Sequence, residues 1–160
     1  TGRNLAVIGK RWPRAELFGL DISAEMLKTA AVKLNGRAHL AQGDATGFDA
    51  ERILGQARFD RIVLSYATSM IPNWQAAISH AATLLKPGGS LKVVDFGDMA
   101  DLPGPFRTLM KAWLAKFHVT PRADLLPYAA SVAAQDGLSL QARQHLGGYY
   151  ALLSLALPQS

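Results

Sequence analysis

The sequence predicts an α/β domain with a doubly wound sheet that closes in a C-terminal antiparallel hairpin. Short apolar segments rich in β-branched residues alternate with amphipathic helical segments, which is typical of βαβ units. The last two segments, 138–146 and 149–157, are both strand-like, and the Gly147–Gly148 pair between them indicates an antiparallel connection. With 160 residues, 49% of them hydrophobic, residues 1–160 are expected to form a single domain with a sizeable core.

The individual elements follow in a regular order. A first helix ends before Pro13, because the residue preceding a proline disfavours helical geometry. Pro72 suits the first turn of a helix that runs through Leu85, with Trp74 facing inward, and the 86–89 turn stops it. The other predicted elements are buried strands at 16–21 and 59–66, further strands at 37–42 and 90–96, and helices at 23–34, 48–56, 104–117 and 122–135.

Asp21 directly follows the first predicted strand and precedes Ser23, a good N-cap for the next helix. Ligands of open α/β sheets bind outside the carboxyl ends of the strands, where an acidic residue commonly accepts the ribose hydroxyls of a nucleotide. A carboxylate suits that task because its two oxygens accept two adjacent O–H donors. The alternative is that Asp21 serves only as an Asx-type cap on the helix.

Composition and charge limit the classes of function. The formal net charge of +5 favours a mildly anionic partner such as a membrane surface, but no Lys/Arg block points to nucleic acid. The absence of cysteine excludes disulfides and thiolate metal sites and is compatible with a cytoplasmic location. The four histidines share no ligand spacing, so we expect no metal site. The longest apolar stretch, near 149–157, is too short to cross a bilayer.

Four segments in order resemble the class I S-adenosylmethionine-dependent methyltransferases. They are LDISAEML (20–27), GDA (43–45), FDRIVLSY (59–66) and LLKPGGSLKVVDF (84–96). The resemblance covers nearly the whole chain and implies a Rossmann-like sheet of seven strands. It also implies that S-adenosylmethionine lies over the carboxyl ends of the first half of that sheet.

The resemblance further implies roles at the nucleoside end of the cofactor. Asp21 would bind the ribose hydroxyls, and Ile22 and Met26 would flank the adenine. Asp44 would accept from the adenine amino group, with Ala45 alongside. The alternative for Asp44 is a turn residue without a ligand.

At the reactive end, the resemblance places Ser65 and Tyr66 near the methionyl part and the methyl group, with Tyr66 as the catalytic residue. Of the family's glycine-rich loop only Thr1 and Gly2 remain, and Gly2 would contact the cofactor. Gly2 lies 19 positions before Asp21, near the ~20 expected between such a loop and the ribose acid.

Because only two residues of the glycine-rich loop are present, the resemblance implies that the chain lacks an N-terminal helix, the first strand and most of that loop. The strand would lie between those that end at Asp21 and Tyr66, so its absence would leave two unpaired sheet edges. We therefore expect poor cofactor binding and unstable folding of the chain alone.

A narrower resemblance rests on SYATSMIPNW (65–74), VVDFGD (93–98), WLAKFHVTPRADL (113–125) and GGYY (147–150). These segments are similar to bacterial N-methyltransferases of betaine-lipid synthesis, which methylate the amino group of a diacylglyceryl-homoserine lipid. The resemblance therefore implies an amine-bearing lipid as acceptor and a peripheral contact with the inner membrane.

Aromatic residues in these segments are candidates for contact with the methyl acceptor. Aromatic faces hold methylated ammonium groups by cation–π attraction of about 0.5 to 2 kcal/mol. Tyr66, Trp74, Tyr149 and Tyr150 are the candidates, and core packing is the alternative for Trp74 and for one of the last two tyrosines.

Polar contacts to the acceptor are also predicted. Arg122 would pair with a lipid phosphate or carboxylate through its planar fork. Asp95 and Asp98 would orient the acceptor amine, and Ser69 completes the substrate set. Solvated loop acids are the alternative for the two aspartates.

One face of the 104–117 helix is aromatic and apolar: Phe106, Leu109, Met110, Trp113 and Phe117. Packing of this face on the sheet is the favoured interpretation. An interfacial membrane helix is the alternative, since flanking cations accompany the apolar face.

The sequence thus predicts S-adenosylmethionine-dependent methyl transfer to the amino group of a lipid headgroup. The alternatives are a methyltransferase acting on a soluble small molecule or a quinone precursor, and an inactive partial domain that serves only as an interaction module.

Overall fold

The computed structural model describes residues 1–97, 103–116, 120–145 and 150–159, which form two compact units, Thr1–Arg58 and Phe59–Ser160. The helices are α1 (Arg3–Arg11), α2 (Ala24–Leu34), α3 (Ala50–Leu54), α4 (Trp74–Thr83), α5 (Gly104–Ala115) and α6 (Leu125–Gln135). The strands are β1 (Phe18–Asp21), β2 (His39–Gln42), β3 (Phe59–Ser65), β4 (Leu85–Phe96), β5 (Ser139–His145) and β6 (Tyr150–Ala156).

In the N-terminal unit, β1 and β2 form a parallel pair in which Asp21 lies opposite Gln42. The predicted N-cap is confirmed, because the Ser23 hydroxyl accepts the Met26 amide at 3.3 Å and starts α2. The helix ends at Leu34, and its C-cap Asn35 adopts left-handed geometry. A parallel pair places both carboxyl ends at one edge, so the loops after β1 and β2 emerge together.

The C-terminal unit contains a four-stranded sheet in the order β3-β4-β6-β5. Strands β3 and β4 are parallel, whereas β6 runs antiparallel to both β4 and β5. The predicted antiparallel pairing of the last two strands is therefore confirmed, while the Gly147–Gly148 connection lies outside the described residues.

The core of this unit lies between the sheet and helices α4 and α6. Trp74 is buried, as predicted, and its ring meets that of Tyr128 edge-on at 5.3 Å. The largest fully buried side chains here are Ile78, Leu85, Leu91, Val93, Leu153 and Leu155. Because α4 and α6 cover the sheet, the carboxyl ends of β3 and β4 are supported by a packed apolar layer.

Two element boundaries differ from the prediction. Helix α4 begins at Trp74 with Asn73 as N-cap, so Pro72 precedes the cap instead of lying in the first turn. Strand β4 begins at Leu85 and not at Ser90, since Leu85 already pairs with Phe59 before the register shifts. The 86–89 turn sequence is thus accommodated inside the strand as an irregularity.

The expectation that β1 and β3 are buried is wrong. Every residue of β1 is only partly buried, and β3 exposes Asp60, Arg61 and Val63. Among the described strands, β1 has only β2 as a neighbour and β3 has only β4. A strand at the end of a sheet is covered less than a central one, and sequence composition does not reveal that position.

The favoured packing of the α5 face is also wrong for two of its residues. Leu109 is 68% exposed and Trp113 is 51% exposed, whereas Leu114 on the same helix is buried. The Phe106 side chain and Phe117 lie outside the described residues. None of the helices in the described part of the chain is both long and apolar enough to span a bilayer.

Adjacent leucines at the start of α6 test the position of the core. Leu125 is buried and Leu126 is 39% exposed. We expect Leu125→Ala to lower the free energy of unfolding by about 2 to 5 kcal/mol, because it removes buried methyl groups and leaves a cavity. Leu126→Ala should cost less than about 1 kcal/mol. Urea denaturation of both variants measures this, and equal losses would contradict the described core.

Candidate functional site

The N-terminal unit has a polar edge where β1 and β2 end. The Gly43 amide donates to the Asp21 carbonyl at 3.1 Å, and the Gln42 side-chain amide donates to the Ile22 carbonyl at 3.0 Å. These bonds tie the two loops together beyond the strand ends. Asp21 and Asp44 therefore both belong to this edge, as the sequence predicted.

Asp21 has one carboxylate oxygen engaged and one available. Its Oδ1 accepts the Ser23 amide at 2.9 Å, which is the Asx-type turn that the alternative interpretation required. Its Oδ2 has no partner among the described residues, and the side chain is partly buried at the strand end. The Asx turn thus occupies half of the carboxylate and leaves an acceptor for a ligand hydroxyl.

Two apolar side chains next to Asp21 are exposed. Ile22 is 68% and Met26 is 39% exposed, although both are large and hydrophobic. The Met26 backbone amide is held by the Ser23 cap, so the side chain projects from the first turn of α2. An apolar surface of this kind beside an acceptor suits a flat aromatic ring such as adenine.

Asp44 is a turn residue with a lowered pKa. Its Oδ1 accepts both the backbone amide of Thr46, at 2.9 Å, and the Thr46 hydroxyl, at 2.8 Å. These two hydrogen bonds favour the charged form, so the pKa of Asp44 lies below its usual value. Asp44 is exposed and Ala45 beside it is partly buried. The turn role is confirmed, and contact with a nucleobase stays a prediction.

Gly2 has a structural reason to be glycine. It is the N-cap of α1 with φ of 70°, a left-handed conformation that side chains disfavour. A Cβ at this position would come within 3.1 Å of the Ala30 Cα and the Leu34 Cδ1 of α2. Close helix packing thus accounts for Gly2, and its predicted contact with the cofactor stays a prediction.

In the C-terminal unit, Tyr66 follows Ser65 at the end of β3 in a strained backbone conformation. Its φ is 52°, which is uncommon for a residue other than glycine and costs of order 1 kcal/mol or more. The Tyr66 amide donates to the Val94 carbonyl at 2.7 Å, and its ring lies 4.9 Å from that of Phe96. Neighbouring contacts therefore fix a partly exposed tyrosine at the strand end.

Asp95 is buried beneath the segment that follows Tyr66. Its Oδ2 accepts the Thr68 hydroxyl at 2.6 Å and the Ser69 amide at 3.0 Å. Its Oδ1 accepts the Phe96 amide at 2.8 Å, and only 1% of the residue is exposed. A buried carboxylate requires such donors, because desolvation of an unpaired charge is costly. The carboxylate thus faces protein donors, and contact with an acceptor amine stays a prediction.

Arg122 is attached to the same segment. Its Nε donates to the Thr68 carbonyl and its Nη2 to the Ile71 carbonyl, both at 3.2 Å. The structure therefore gathers the predicted residues Ser69, Asp95 and Arg122 around one turn. Pairing of Arg122 with an anionic group stays a prediction.

Several other predicted residues have different outcomes. Trp74 is buried against Tyr128, which supports its core-packing alternative. Tyr149 and Asp98 lie outside the described residues. Thr68 was not predicted, although its position three residues after the end of a parallel strand was a usable signal.

Comparison with known proteins shows similarity along most of the chain. A family model described as "Methyltransferase domain" matches residues 1–91. The ubiquinone/menaquinone biosynthesis C-methyltransferase UbiE of Syntrophotalea carbinolica is 30% identical over 127 residues, which cover 76% of this chain and 49% of that protein. A trans-aconitate 2-methyltransferase of Enterobacter sp. is 28% identical, with coverage of 94% and 48%. The chain spans about half the length of the curated relatives it matches.

Solved structures agree on the fold. A methyltransferase in complex with the Trm112 activator of Haloferax volcanii superimposes with a TM-score of 0.74 at 14% identity, covering 99% of this chain and 79% of that one. An O-methyltransferase family protein of Burkholderia thailandensis gives 0.67 at 22% identity, with coverage of 98% and 48%. This likeness confirms the predicted α/β fold class.

The turn after β2 gives a prediction for pH dependence. Thr46→Val removes the hydroxyl that donates to Asp44, so the pKa of Asp44 should rise toward its usual value. Because the folded pKa is lowered, this carboxylate stabilises the fold above the unfolded pKa, and the contribution disappears as pH falls through the folded value. Carboxyl-carbon NMR titration measures the shift.

Asp60 is the internal control for that titration. Its pKa is also lowered, chiefly by the hydrogen bond from Lys86 at 3.0 Å, which Thr46→Val does not touch. An unchanged Asp44 titration in the variant, or an equal shift at Asp60, would contradict the assigned cause.

Proposed function

Because the chain belongs to the class I S-adenosylmethionine-dependent methyltransferases, with S-adenosylmethionine as the cofactor, we propose that it methylates a small-molecule acceptor. The names of its relatives support this acceptor class. One belongs to ubiquinone and menaquinone biosynthesis, and another acts on trans-aconitate. The lipid amine predicted from the sequence has no counterpart among these names, so the small-molecule alternative takes its place as the leading proposal.

The observation that carries the proposal is the available Asp21 oxygen. It lies at the carboxyl end of β1, beside exposed Ile22 and Met26. We propose that Asp21 accepts a ribose hydroxyl and that the two apolar side chains cover the adenine. Hydrogen bonds to charged acceptors contribute about 1.5 to 3 kcal/mol each.

Asp44 is proposed to accept the adenine amino group. Thr46 occupies its Oδ1 through two hydrogen bonds, which also lower the pKa of the carboxyl group. Ala45, the next residue, is small enough to let a flat ring approach the loop. An acceptor-only carboxylate distinguishes an amino group from a carbonyl at the same position.

Tyr66, in the C-terminal unit, is proposed to act on the reacting end of the cofactor, the role that the family resemblance implies for it. The cofactor supplies an electrophilic methyl group on a sulfonium, and its in-line transfer requires orientation and exclusion of water more than a strong base. Tyr66 suits orientation because its backbone bonds to Val94 and its ring is held against Phe96. Ser65, partly buried at the end of β3, is proposed to contact the methionyl part.

A lipid headgroup is the second candidate acceptor. The exposed Leu109 and Trp113 on α5 favour it, because apolar side chains of this kind insert into the interfacial region of a bilayer. A partial domain that acts only as an interaction module is the third candidate, and it differs from both others in requiring no cofactor binding.

Substitution of Asp21 separates its structural and ligand-binding roles. Asp21→Asn keeps an oxygen for the Ser23 amide but loses the charge and the second acceptor, so we expect an unchanged melting temperature and about 10- to 100-fold weaker binding of S-adenosylhomocysteine. Asp21→Ala should lose both the turn and the affinity. Calorimetric titration measures binding, in this chain and in one extended by a family-like first strand and glycine loop.

The outcome is decided by the asparagine variant. If Asp21→Asn binds S-adenosylhomocysteine as tightly as the parent chain, Asp21 acts only as the Asx-type cap. If neither the unsubstituted chain nor its N-terminally extended form binds S-adenosylhomocysteine, the interaction-module candidate is supported instead.

A panel of acceptors tests the proposed substrate class. We expect transfer of labelled methyl from S-adenosylmethionine to trans-aconitate or to a polyprenyl naphthoquinol. Vesicles that contain phosphatidylethanolamine or diacylglyceryl homoserine should remain unlabelled. Labelling of vesicle lipid alone, abolished by Trp113→Ala, would favour the lipid candidate over the small-molecule proposal.

A further inference from the structure

Residues 66–71 form a turn, the 66–71 turn, which two other segments of the chain hold in place. It is closed internally by the Met70 and Ile71 amides, which donate to the Ala67 carbonyl at 3.0 and 2.9 Å. Two other segments then bind it, the end of β4 through Asp95 and the residues before α6 through Arg122. The Thr120 amide adds a bond to the Ser69 carbonyl at 3.1 Å.

Thr68 is the residue at which the two supports meet. Its hydroxyl donates to the buried Asp95 carboxylate and its carbonyl accepts from Arg122. Thr68 and Ser69 are both almost fully buried, yet the Ser69 hydroxyl has no hydrogen-bond partner among the described residues. Of these two neighbouring hydroxyls, only that of Thr68 bonds to Asp95 and so helps to hold the turn.

The geometry of Arg122 adds a second constraint. Its guanidinium bonds two carbonyls of one turn, at Thr68 and Ile71, and a planar fork fixes their separation. A lysine at this position would keep the charge but lack the fork. The contacts of Arg122 are therefore those of a clamp on the backbone.

The left-handed backbone of Tyr66 depends on the contacts that hold the 66–71 turn. A non-glycine residue keeps a left-handed backbone only where the surroundings over-determine it. Tyr66 is the first residue of the 66–71 turn, so loss of the support would let the end of β3 relax. Such relaxation would move the segment that follows β3, the part of an α/β sheet from which ligand-binding residues come.

We propose that Asp95, Thr68 and Arg122 are positioning residues, which hold the 66–71 turn and Tyr66 in the conformation that S-adenosylmethionine binding requires. The inference rests on the proposed role of Tyr66 at the reacting end. It assigns Asp95 and Arg122 to the support of the turn in place of the direct acceptor contacts predicted from the sequence. None of the three needs to touch the substrate.

The test compares two hydroxyl deletions in the same unit. Thr68→Val removes the bond to Asp95, and Tyr128→Phe removes a partly buried bond of 2.8 Å between Tyr128 and Ser79. Both should lower the melting temperature. Only Thr68→Val should weaken calorimetric binding of S-adenosylhomocysteine, by at least tenfold, while Thr68→Ser should restore the affinity to within about threefold of the parent chain.

Two further readouts keep the test decisive if Thr68→Val folds poorly. Arg122→Lys, at a partly exposed position, should weaken binding about fivefold or more while the chain stays folded. Hydrogen exchange of the Ser69 amide, which donates to Asp95, should accelerate in Thr68→Val and not in Tyr128→Phe.

Parent-like affinity in both Thr68→Val and Arg122→Lys would overturn the inference. Equal loss of affinity in Tyr128→Phe would overturn it as well, because general destabilisation would then suffice. Failure of the parent chain to bind S-adenosylhomocysteine, with or without the N-terminal extension, would also count against it. If the affinities follow the expectation but no small molecule is methylated, the inference stands and the acceptor proposal fails.

Discussion

The buried carboxylate of Asp95 is the interaction on which the C-terminal unit's candidate site depends. Only 1% of Asp95 is exposed, and its carboxylate oxygens are surrounded by hydroxyl and amide donors, which come mainly from the 66–71 turn. Removal of one donor would leave a buried carboxylate oxygen unsatisfied, which costs more than the net contribution of an ordinary hydrogen bond. The 66–71 turn is thus bound to the end of β4, because the buried carboxylate of Asp95 needs the donors that the turn supplies.

In the N-terminal unit, the acidic residues at the strand ends are held by local turns. Asp21 and Asp44 each use one oxygen to form a local turn, and the other oxygen has no hydrogen-bond partner among the described residues. Their partners are close in sequence, so the loops are shaped locally with little help from the core. The N-terminal unit therefore presents hydrogen-bond acceptors at its edge, whereas in the C-terminal unit the carboxylate of Asp95 holds a turn in place.

This difference explains how far the sequence could predict the molecule. Local patterns identified Asp21, the Ser23 cap and the antiparallel strands, because their causes lie within a few residues. The burial of Asp95 was not predictable, since it depends on Thr68 and Ser69, 27 and 26 positions away. The exposure of Val63 and Trp113 was missed for the same reason: composition shows that a residue is apolar, but not whether anything covers it.

The most direct test of the account is a crystal structure of the chain with S-adenosylhomocysteine. We expect the ribose hydroxyls to bond to the Asp21 carboxylate, with the Ser23 amide still on Oδ1, and the adenine to lie against Ile22 and Met26. Tyr66 should keep its left-handed backbone above an intact Asp95–Thr68 bond. A nucleoside bound elsewhere, with Asp21 contacting only Ser23, would contradict the assignment of the site.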